Sequence, residues 1–254
     1  MDLLIVGPAR SGTTMLANLL TSPPNRWVLA EPGITRSGMG EVVRQGAGLF
    51  GWHYEHSAWH ARETSEERFN RLLHQRLGQL ERWGVKEVNM NGIADLIATY
   101  RPRHIVISVR DIRACAVSVR QKETLQGTIG GQPPVPKTDE WLRERLRDGA
   151  NAALQLLAAP PPGSRITVVR YEDFVASSDI RATLAKTLDW PLDGNPGSTL
   201  DFFGRGFEVE RHGNQIGTSS VTRWRDESEP AMRTFADQLA FEVADYQRQF
   251  GYVQ

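Results

Sequence analysis

The segment with the clearest chemical potential reads Gly-Pro-Ala-Arg-Ser-Gly-Thr-Thr and covers residues 7–14. It follows the apolar run Leu3–Val6, which is typical of a strand buried on both faces, and it precedes a helical pattern. Glycines let the backbone approach an anion, and the free N–H groups at a helix start point towards it. The segment therefore predicts a phosphate-binding loop. The alternative is an ordinary turn that caps a helix, with an exposed arginine.

The cation of this predicted loop is an arginine rather than a lysine. The Gly-x-x-x-x-Gly spacing matches a P-loop, but Thr13 stands where such loops carry lysine, and Arg10 lies within the loop. Enzymes that use nucleoside triphosphates normally combine that lysine with Mg²⁺ on the β- and γ-phosphates. Arginine and hydroxyl groups without the lysine favour a smaller anion.

A second arginine stands at the end of the strongest predicted strand. Arg110 follows the apolar run that ends at Val109, and Ser118 comes eight residues later, about two helical turns on. Open α/β sheets bind ligands at the carboxyl ends of their strands, and an arginine with a hydroxyl group is a phosphate-binding pair. The alternative is that Arg110 forms a buried ion pair with Asp111 or Glu172.

The order of the predicted elements favours an α/β fold. Short apolar runs alternate with helical patterns, which is typical of a three-layer P-loop-type domain with a central parallel sheet flanked by helices. No linker divides the chain, so we expect a single domain over residues 1–254. Strands are expected at residues 3–6, 27–30, 85–88, 104–109 and 166–169, and helices at 13–21, 65–82, 92–100, 112–126, 139–158, 179–189 and 230–249.

The composition excludes several classes of protein. The 254 residues include 30 basic and 30 acidic side chains, a balance that argues against a partner such as nucleic acid bound by bulk charge. Hydrophobic residues make up 40%, or about 49% with the 23 glycines included, as in globular chains. Cys115 is the only cysteine, which excludes an internal disulfide. No apolar run is long enough for a membrane helix and no signal peptide is visible, so we expect a cytoplasmic protein.

Taken together, these segments resemble the sulfotransferases that use 3′-phosphoadenosine 5′-phosphosulfate (PAPS). Residues 8–14 match the loop with which that family cradles the 5′-phosphosulfate, and Arg110 with Ser118 matches its pair on the 3′-phosphate. Residues 170–174 and 219–225 resemble two further family segments. The resemblance implies a P-loop-type fold, PAPS as donor, PAP as product and no metal. The donor-binding residues that it implies are Arg10, Ser11, Gly12, Thr13, Thr14, Arg110, Ser118, Tyr171, Ser219, Ser220 and Arg223.

The resemblance also implies the catalytic residues. Sulfuryl transfer needs a base for the acceptor proton and cations on the transferring group. Glu31 directly follows a predicted strand, twenty-one residues after Arg10, where tyrosine- and carbohydrate-directed members carry a glutamate base. Arg10 would stabilise the departing phosphate, and Lys86 would contact the sulfuryl group. The alternatives are that Glu31 pairs with Arg10 or Arg36 and that Lys86 is exposed on an edge strand.

Some expectations concern the acceptor and remain open at this level. Cytosolic small-molecule sulfotransferases use a histidine base, so His53, His56 and His60 are reserve candidates. The aromatic residues of segment 50–60 are suited to an acceptor pocket for a small molecule or glycan. A Gly/Pro-rich segment, residues 127–137, could act as a lid. The rival functions are a P-loop kinase that uses ATP and Mg²⁺, and a non-catalytic nucleotide-binding protein. The sequence leaves open whether the chain forms a homodimer.

Overall fold

The computed structural model describes residues 1–22, 25–31, 77–90, 92–125, 138–196 and 216–252. The reserve histidines, the aromatic segment 50–60 and the expected lid at 127–137 lie outside these ranges. Among the residues described, no helix is long and apolar enough to cross a membrane.

A five-stranded parallel sheet forms the centre of the described structure. Its strands are β1 (Leu3–Val6), β2 (Arg26–Ala30), β3 (Arg82–Glu87), β4 (His104–Val109) and β5 (Arg165–Arg170), in the spatial order β2-β3-β1-β4-β5. The register aligns Ala30 with Lys86. The carboxyl ends of β1, β2, β3 and β4 therefore meet at one edge of the sheet.

Helices connect and cover these strands. They are α1 (Thr13–Leu20), α2 (Ile93–Tyr100), α3 (Ile112–Leu125), α4 (Asp139–Ala158), α5 (Tyr171–Ala176), α6 (Ser178–Leu188), α7 (Pro230–Glu242) and α8 (Ala244–Gln249). Gly92 in the left-handed conformation precedes α2, and the hydroxyl of Thr138 caps α4 by accepting from the Trp141 N–H.

Two apolar layers separate the sheet from its helices. Alternate residues of each inner strand point to opposite faces, so Leu4 and Val6 join one core cluster while Leu3 and Ile5 join the other. The first cluster contains residues of α2, α3, α4, α7 and α8, and the second contains residues of α1, α5 and α6. This arrangement confirms the three-layer fold expected from the sequence.

The structure corrects several details of the predicted elements. The strand expected at 85–88 spans Arg82–Glu87. The helix expected over 65–82 is helical at Leu77 and has ended before β3 begins at Arg82. The helix expected over 230–249 is broken at Val243 into α7 and α8. The short helix α5 was missed, because its six residues lie directly after β5 and are too few to show a helical period.

Candidate active site

The loop between β1 and α1 has the backbone geometry of an anion cradle. Gly12 adopts a φ of 94° and Arg10 a φ of 70°, in the left-handed region that a non-glycine residue rarely adopts. Gly12 is the N-cap of α1, and the first turn of this helix contains no acidic residue. Among the residues that the structure describes, no side chain caps the helix, so its first N–H groups can bind an anion.

The loop is fastened to the neighbouring strand β4. The hydroxyl of Ser108 donates to the Ser11 carbonyl oxygen over 2.6 Å. A Cβ atom at Gly7 would lie 2.1 Å from the Ser108 carbonyl oxygen, so only glycine allows the loop to pass this close to β4. The loop and the end of β4, which carries Arg110, are thereby held side by side.

Arg110 extends from the end of β4 to the loop. Its side chain is buried, with the residue 5% exposed. Nη1 donates to the Arg10 carbonyl oxygen over 3.0 Å, and Nη2 donates to the Ser220 carbonyl oxygen. The ion pair considered from the sequence is absent from the part of the chain that the structure describes, because Asp111 pairs with Arg113 at 2.7 Å and Glu172 accepts from other groups.

The side chain of Ser118 contacts the other arginine. Arg10 Nε donates to the Ser118 hydroxyl over 3.1 Å, whereas Arg110 binds the backbone of Arg10. Arg10 thus contacts both residues, and the expectation that Ser118 and Arg110 bind one phosphate stays a prediction. Two arginines that are 100 residues apart in the sequence therefore meet at one place.

Tyr171 connects three parts of the site. A Cβ atom on Gly12 would lie 2.5 Å from Cδ2 of Tyr171, so the ring packs directly against the loop. The guanidinium carbon of Arg110 lies 4.4 Å from the centre of the same ring. The Tyr171 hydroxyl shares a 2.6 Å hydrogen bond with the hydroxyl of Ser220. Tyr171 thus holds the loop, Arg110 and the segment 216–226 together.

Glu31 and Lys86 form an ion pair at the same edge of the sheet. Lys86 Nζ donates to Glu31 Oε1, and the Glu31 N–H donates to the Lys86 carbonyl oxygen over 2.7 Å. The Lys86 side chain is 4% exposed and that of Glu31 is 43% exposed. The alternative of an exposed edge-strand lysine is wrong, because β3 lies between β2 and β1. Arg36, the other proposed partner of Glu31, lies outside the described residues.

The remaining predicted residues belong to the segment 216–226. Arg223 is exposed and its Nη1 donates to the Gln121 side chain of α3 over 3.4 Å. Ser219 is exposed as well. Trp224 fixes this segment, because the guanidinium carbon of Arg113 lies 4.0 Å from the centre of the Trp224 ring. Ser219 and Arg223 are thus near the site but outside its buried centre.

A match to a known protein family identifies the class to which this protein belongs. Residues 2–190 match the family described as the sulfotransferase family. The chain belongs to the sulfotransferase family. The family, the enzyme class and the fold expected from the sequence are thereby confirmed. No curated protein matches the chain at a significant level.

Two solved sulfotransferase domains share the fold of this protein. The sulfotransferase domain of the Synechococcus PCC 7002 olefin synthase has 16% identity and a TM-score of 0.62, covering 96% of this chain and 94% of that domain. The sulfotransferase domain of the curacin biosynthetic pathway has 15% identity and a TM-score of 0.62, covering 96% and 97%. Mouse sulfotransferase SULT7A1 complexed with PAP aligns at 14% identity with a TM-score of 0.46, covering 99% and 89%.

Two buried polar atoms of the candidate site have no partner among the described residues. They are the hydroxyl oxygen of Ser11 and Nε of Arg110. Buried polar groups are normally hydrogen-bonded, so each such atom calls for an explanation. Both lie at the loop whose helix N-terminus has no side-chain cap. These unpartnered donors fit a bound anion with several acceptor oxygens, as a nucleotide phosphate has.

Sequence reasoning missed the residues that hold this sulfotransferase site together. Ser108 carried one signal, a polar residue within an apolar strand, and its hydroxyl binds the loop.

Glu87 is a second residue that the sequence did not single out. Burial raises the pKa of Glu87, and the nearby Glu31 raises it further. The hydrogen bonds that its carboxylate accepts from the Asn89 and Val88 N–H groups act in the opposite direction. Glu87 is thus a buried acid beside the Lys86–Glu31 pair.

Metal binding receives no support from the described residues. Within those ranges, no group of three or more His, Cys, Asp and Glu side chains could hold a metal ion. The three histidines of segment 50–60 lie outside them. Cys115 is fully buried in α3, and burial raises the pKa of its thiol to about 12, so this thiol is unsuited to be a metal ligand or nucleophile.

Proposed function

We propose that this protein transfers a sulfuryl group from PAPS to a hydroxyl or amine group of a small molecule, glycan or peptide. The observation that supports it best is the convergence of Arg10 and Arg110 on one uncapped loop. A nucleotide with phosphate groups at both its 5′ and 3′ positions needs two cationic sites within reach of each other. Arg10 and Arg110 would supply these two sites, and the Arg110 guanidinium group contacts the backbone of Arg10.

The donor's 5′ end is assigned to the loop. The N–H groups at the start of α1, with Ser11, Gly12, Thr13 and Thr14, would bind the 5′-phosphosulfate, and the helix dipole would add to its attraction. The Ser11 hydroxyl is buried and lacks a partner among the described residues, which supports a role as donor to a phosphate oxygen.

The 3′-phosphate is assigned to Arg110 and Ser118. Arg110 Nε has no partner in the described structure, and its two other nitrogens bind carbonyl oxygens that a phosphate could replace. The Tyr171 ring would support Arg110 by stacking against its guanidinium group. The segment 216–226 would contribute Ser219, Ser220 and Arg223 to nucleotide binding. Ser219 and Arg223 are exposed, so the structure gives less support to their role than to that of Arg110.

Glu31, Lys86 and Arg10 are assigned to the transfer step. PAPS supplies the activated sulfuryl group; the bond between sulfur and the bridging phosphate oxygen breaks as the acceptor oxygen or nitrogen bonds to sulfur. Glu31 takes the acceptor proton, because a carboxylate can accept one and the ammonium of Lys86 cannot. Lys86 would neutralise the sulfuryl oxygens, and Arg10 the charge left on the PAP phosphate. The Lys86–Glu31 ion pair holds both groups at one edge of the sheet.

Calorimetric titration tests the donor assignment. PAP, ADP and ATP would each be titrated into the protein with and without Mg²⁺. The proposal predicts that PAP binds most tightly and that Mg²⁺ leaves its affinity unchanged. Tighter binding of ATP that depends on Mg²⁺ would favour the kinase alternative. Tight PAP binding without turnover on any acceptor in a broad screen would favour a non-catalytic nucleotide-binding protein.

Glu31→Gln tests the assignment of the base. The variant should bind PAP with unchanged affinity and lose at least about a hundredfold in kcat, since a positioned general base contributes about 10²- to 10⁴-fold. Transfer from radiolabelled PAPS to the best acceptor of the screen is the measurement. Glu144→Gln, on the exposed face of α4, is the matched control. If Glu31→Gln transferred sulfate at nearly the rate of the unmodified enzyme, Glu31 would not be the base and a histidine would be the next candidate.

A further inference from the structure

The hydroxyl group of Tyr246 makes two hydrogen bonds to the backbone of a single residue. Tyr246 lies on α8 and is completely buried. Its oxygen accepts from the Arg110 N–H over 3.0 Å and donates to the Arg110 carbonyl oxygen over 3.0 Å. The two residues are 136 positions apart in the sequence. The last helix of the described chain thus contacts the arginine that is proposed to bind the 3′-phosphate.

The hydrogen bonds from Tyr246 satisfy backbone groups of Arg110 that have no partner in the sheet. The paired register of β4 ends at Val109, which aligns with Arg170 of β5. Arg110 is the first residue beyond the strand, so its N–H and carbonyl groups have left the ladder. A buried backbone group without a partner is costly, and the Tyr246 hydroxyl satisfies both groups at once.

The next residue of α8 supports the same turn. Gln247 is buried; its Oε1 accepts from the Ile112 N–H over 3.2 Å, and its Nε2 donates to Asp111 Oδ1 over 3.1 Å. Adjacent side chains of one helix therefore hold residues 110, 111 and 112. Three backbone groups between β4 and α3 depend on them.

Packing alone does not require the hydroxyl of Tyr246. Its ring packs edge-on against Phe250 at 4.9 Å and is stacked with Tyr252 at 6.3 Å, contacts that a phenylalanine would also make. Within the described part of the chain, the hydroxyl adds only the two hydrogen bonds with Arg110. Burial raises the pKa of Tyr246 well above its ordinary value, so the group keeps the proton that it donates to the carbonyl oxygen.

We propose that Tyr246, assisted by Gln247, is a positioning residue for nucleotide binding: its hydroxyl fixes the backbone of Arg110 and thereby the place where the guanidinium group meets the 3′-phosphate. The inference rests on the proposed function, since it takes Arg110 as the ligand of that phosphate. The side chain of Arg110 has little room to adjust, because it lies against Tyr171 and between two carbonyl oxygens. A small rotation of its backbone would therefore displace the guanidinium group.

Tyr246→Phe tests this with two nucleotides that differ only in the 3′-phosphate. PAP and adenosine 5′-phosphate would be titrated into the unmodified protein and the variant by calorimetry. The affinity for PAP should fall about tenfold, because two hydrogen bonds that orient its ligand are lost, while that for adenosine 5′-phosphate should change less than about twofold. An equal fall for both nucleotides, or an unchanged affinity for PAP, would overturn the proposal.

Two further variants separate positioning from stability. Phe250→Leu removes the aromatic ring that packs on Tyr246 but no hydrogen bond to residues 110–112. It should lower the melting temperature and leave the ratio of the two affinities unchanged. Gln247→Met keeps the Tyr246 hydroxyl, removes the contacts to Ile112 and Asp111, and should lower the PAP affinity selectively, which tests the same support if Tyr246→Phe folds poorly.

The failure of this inference is distinguishable from that of the proposed function. An unmodified protein that binds PAP no more tightly than adenosine 5′-phosphate would contradict the assignment of Arg110 itself. An unmodified protein that prefers PAP, together with a Tyr246→Phe variant that keeps the full preference, would contradict only the positioning role.

Discussion

Replacement of Arg110 by alanine is the most direct test of the donor site. In the structure, the guanidinium group is buried, stacks on Tyr171 and donates to two carbonyl oxygens. A hydrogen bond to a charged group contributes about 1.5–3 kcal/mol, and each 1.4 kcal/mol corresponds to a factor of ten in affinity. Arg110→Ala should therefore weaken PAP binding about 10- to 150-fold. We expect the upper half of that range, because solvent screens a buried charge little.

The assay is calorimetric titration with PAP and with adenosine 5′-phosphate. The second nucleotide lacks the 3′-phosphate, so its affinity should change less than about twofold in Arg110→Ala, since no charge-assisted contact is lost. The PAP affinity of Arg110→Lys should lie between those of the unmodified protein and Arg110→Ala. An ammonium group keeps the charge but cannot donate to two carbonyl oxygens and a phosphate in one plane.

Arg26→Ala is a matched control for the loss of a buried arginine. Arg26 is also buried, and its Nη2 donates to both carboxylate oxygens of Asp193, over 2.8 and 2.7 Å. It begins β2, at the sheet edge opposite the site. Its loss should lower the free energy of unfolding and leave PAP affinity unchanged. If Arg110→Ala weakened both nucleotides equally, or behaved like Arg26→Ala, the assignment of Arg110 to the 3′-phosphate would be refuted.

Three other substitutions probe the loop, the transfer step and the buried acid. Gly12→Ala should abolish measurable PAP binding, because its Cβ would lie 2.5 Å from Tyr171 at a φ of 94°; calorimetry measures this, with Gly163→Ala, at a φ of 80° and without atoms within 4 Å, as control. Lys86→Met should lower kcat about 10²-fold in the radiolabel assay, with PAP affinity changed little. As pH rises above 4.5, the free energy of unfolding of Glu87→Gln should increase relative to that of the unmodified protein, as measured by urea unfolding. The reason is that burial raises the pKa of Glu87 in the native state.

The sign of the last effect follows from proton binding. Below its ordinary pKa of 4.5, Glu87 is protonated in both states and contributes no difference. As pH rises, the unfolded chain loses this proton first, so the parent loses stability until the native pKa is passed, while the glutamine variant does not. A constant difference across that interval would contradict the burial argument. Full PAP binding by Gly12→Ala, or an unchanged kcat in Lys86→Met, would contradict the placement of those residues.

The sheet was predictable because its inner strands are buried on both faces. Leu3–Val6 is a continuous apolar run, and His104–Val109 is apolar apart from His104 and Ser108. Glycine or charge bounds both, and the predicted bounds match the observed ones. The break at Val243 was not predictable, since residues 230–249 have no proline or glycine after Pro230. The two halves pack on the same cluster, and tertiary contacts rather than local preference divide them.

The candidate site was predictable to the extent that its residues follow strands. Arg10, Glu31, Lys86 and Arg110 all lie at or just beyond carboxyl ends of strands, and parallel pairing brings such ends to one edge. The exact contacts were not predictable. No pattern indicates that Ser118 binds Arg10 rather than Arg110. Contacts across a hundred or more residues depend on how helices pack, which neither spacing nor period encodes.

The two halves of the proposed reaction depend on different kinds of support. Lys86 and Glu31 are adjacent because β2 and β3 pair in register, and that register cannot shift without disrupting the sheet. Arg10 and Arg110 are adjacent through side-chain contacts with loop carbonyl and hydroxyl oxygens. A phosphate can replace such contacts at little cost, because it offers stronger acceptors in the same place. Donor binding should therefore exchange the acceptors of the two guanidinium groups for phosphate oxygens while the backbone at Lys86 stays fixed, which keeps Glu31, the proposed proton acceptor, aligned.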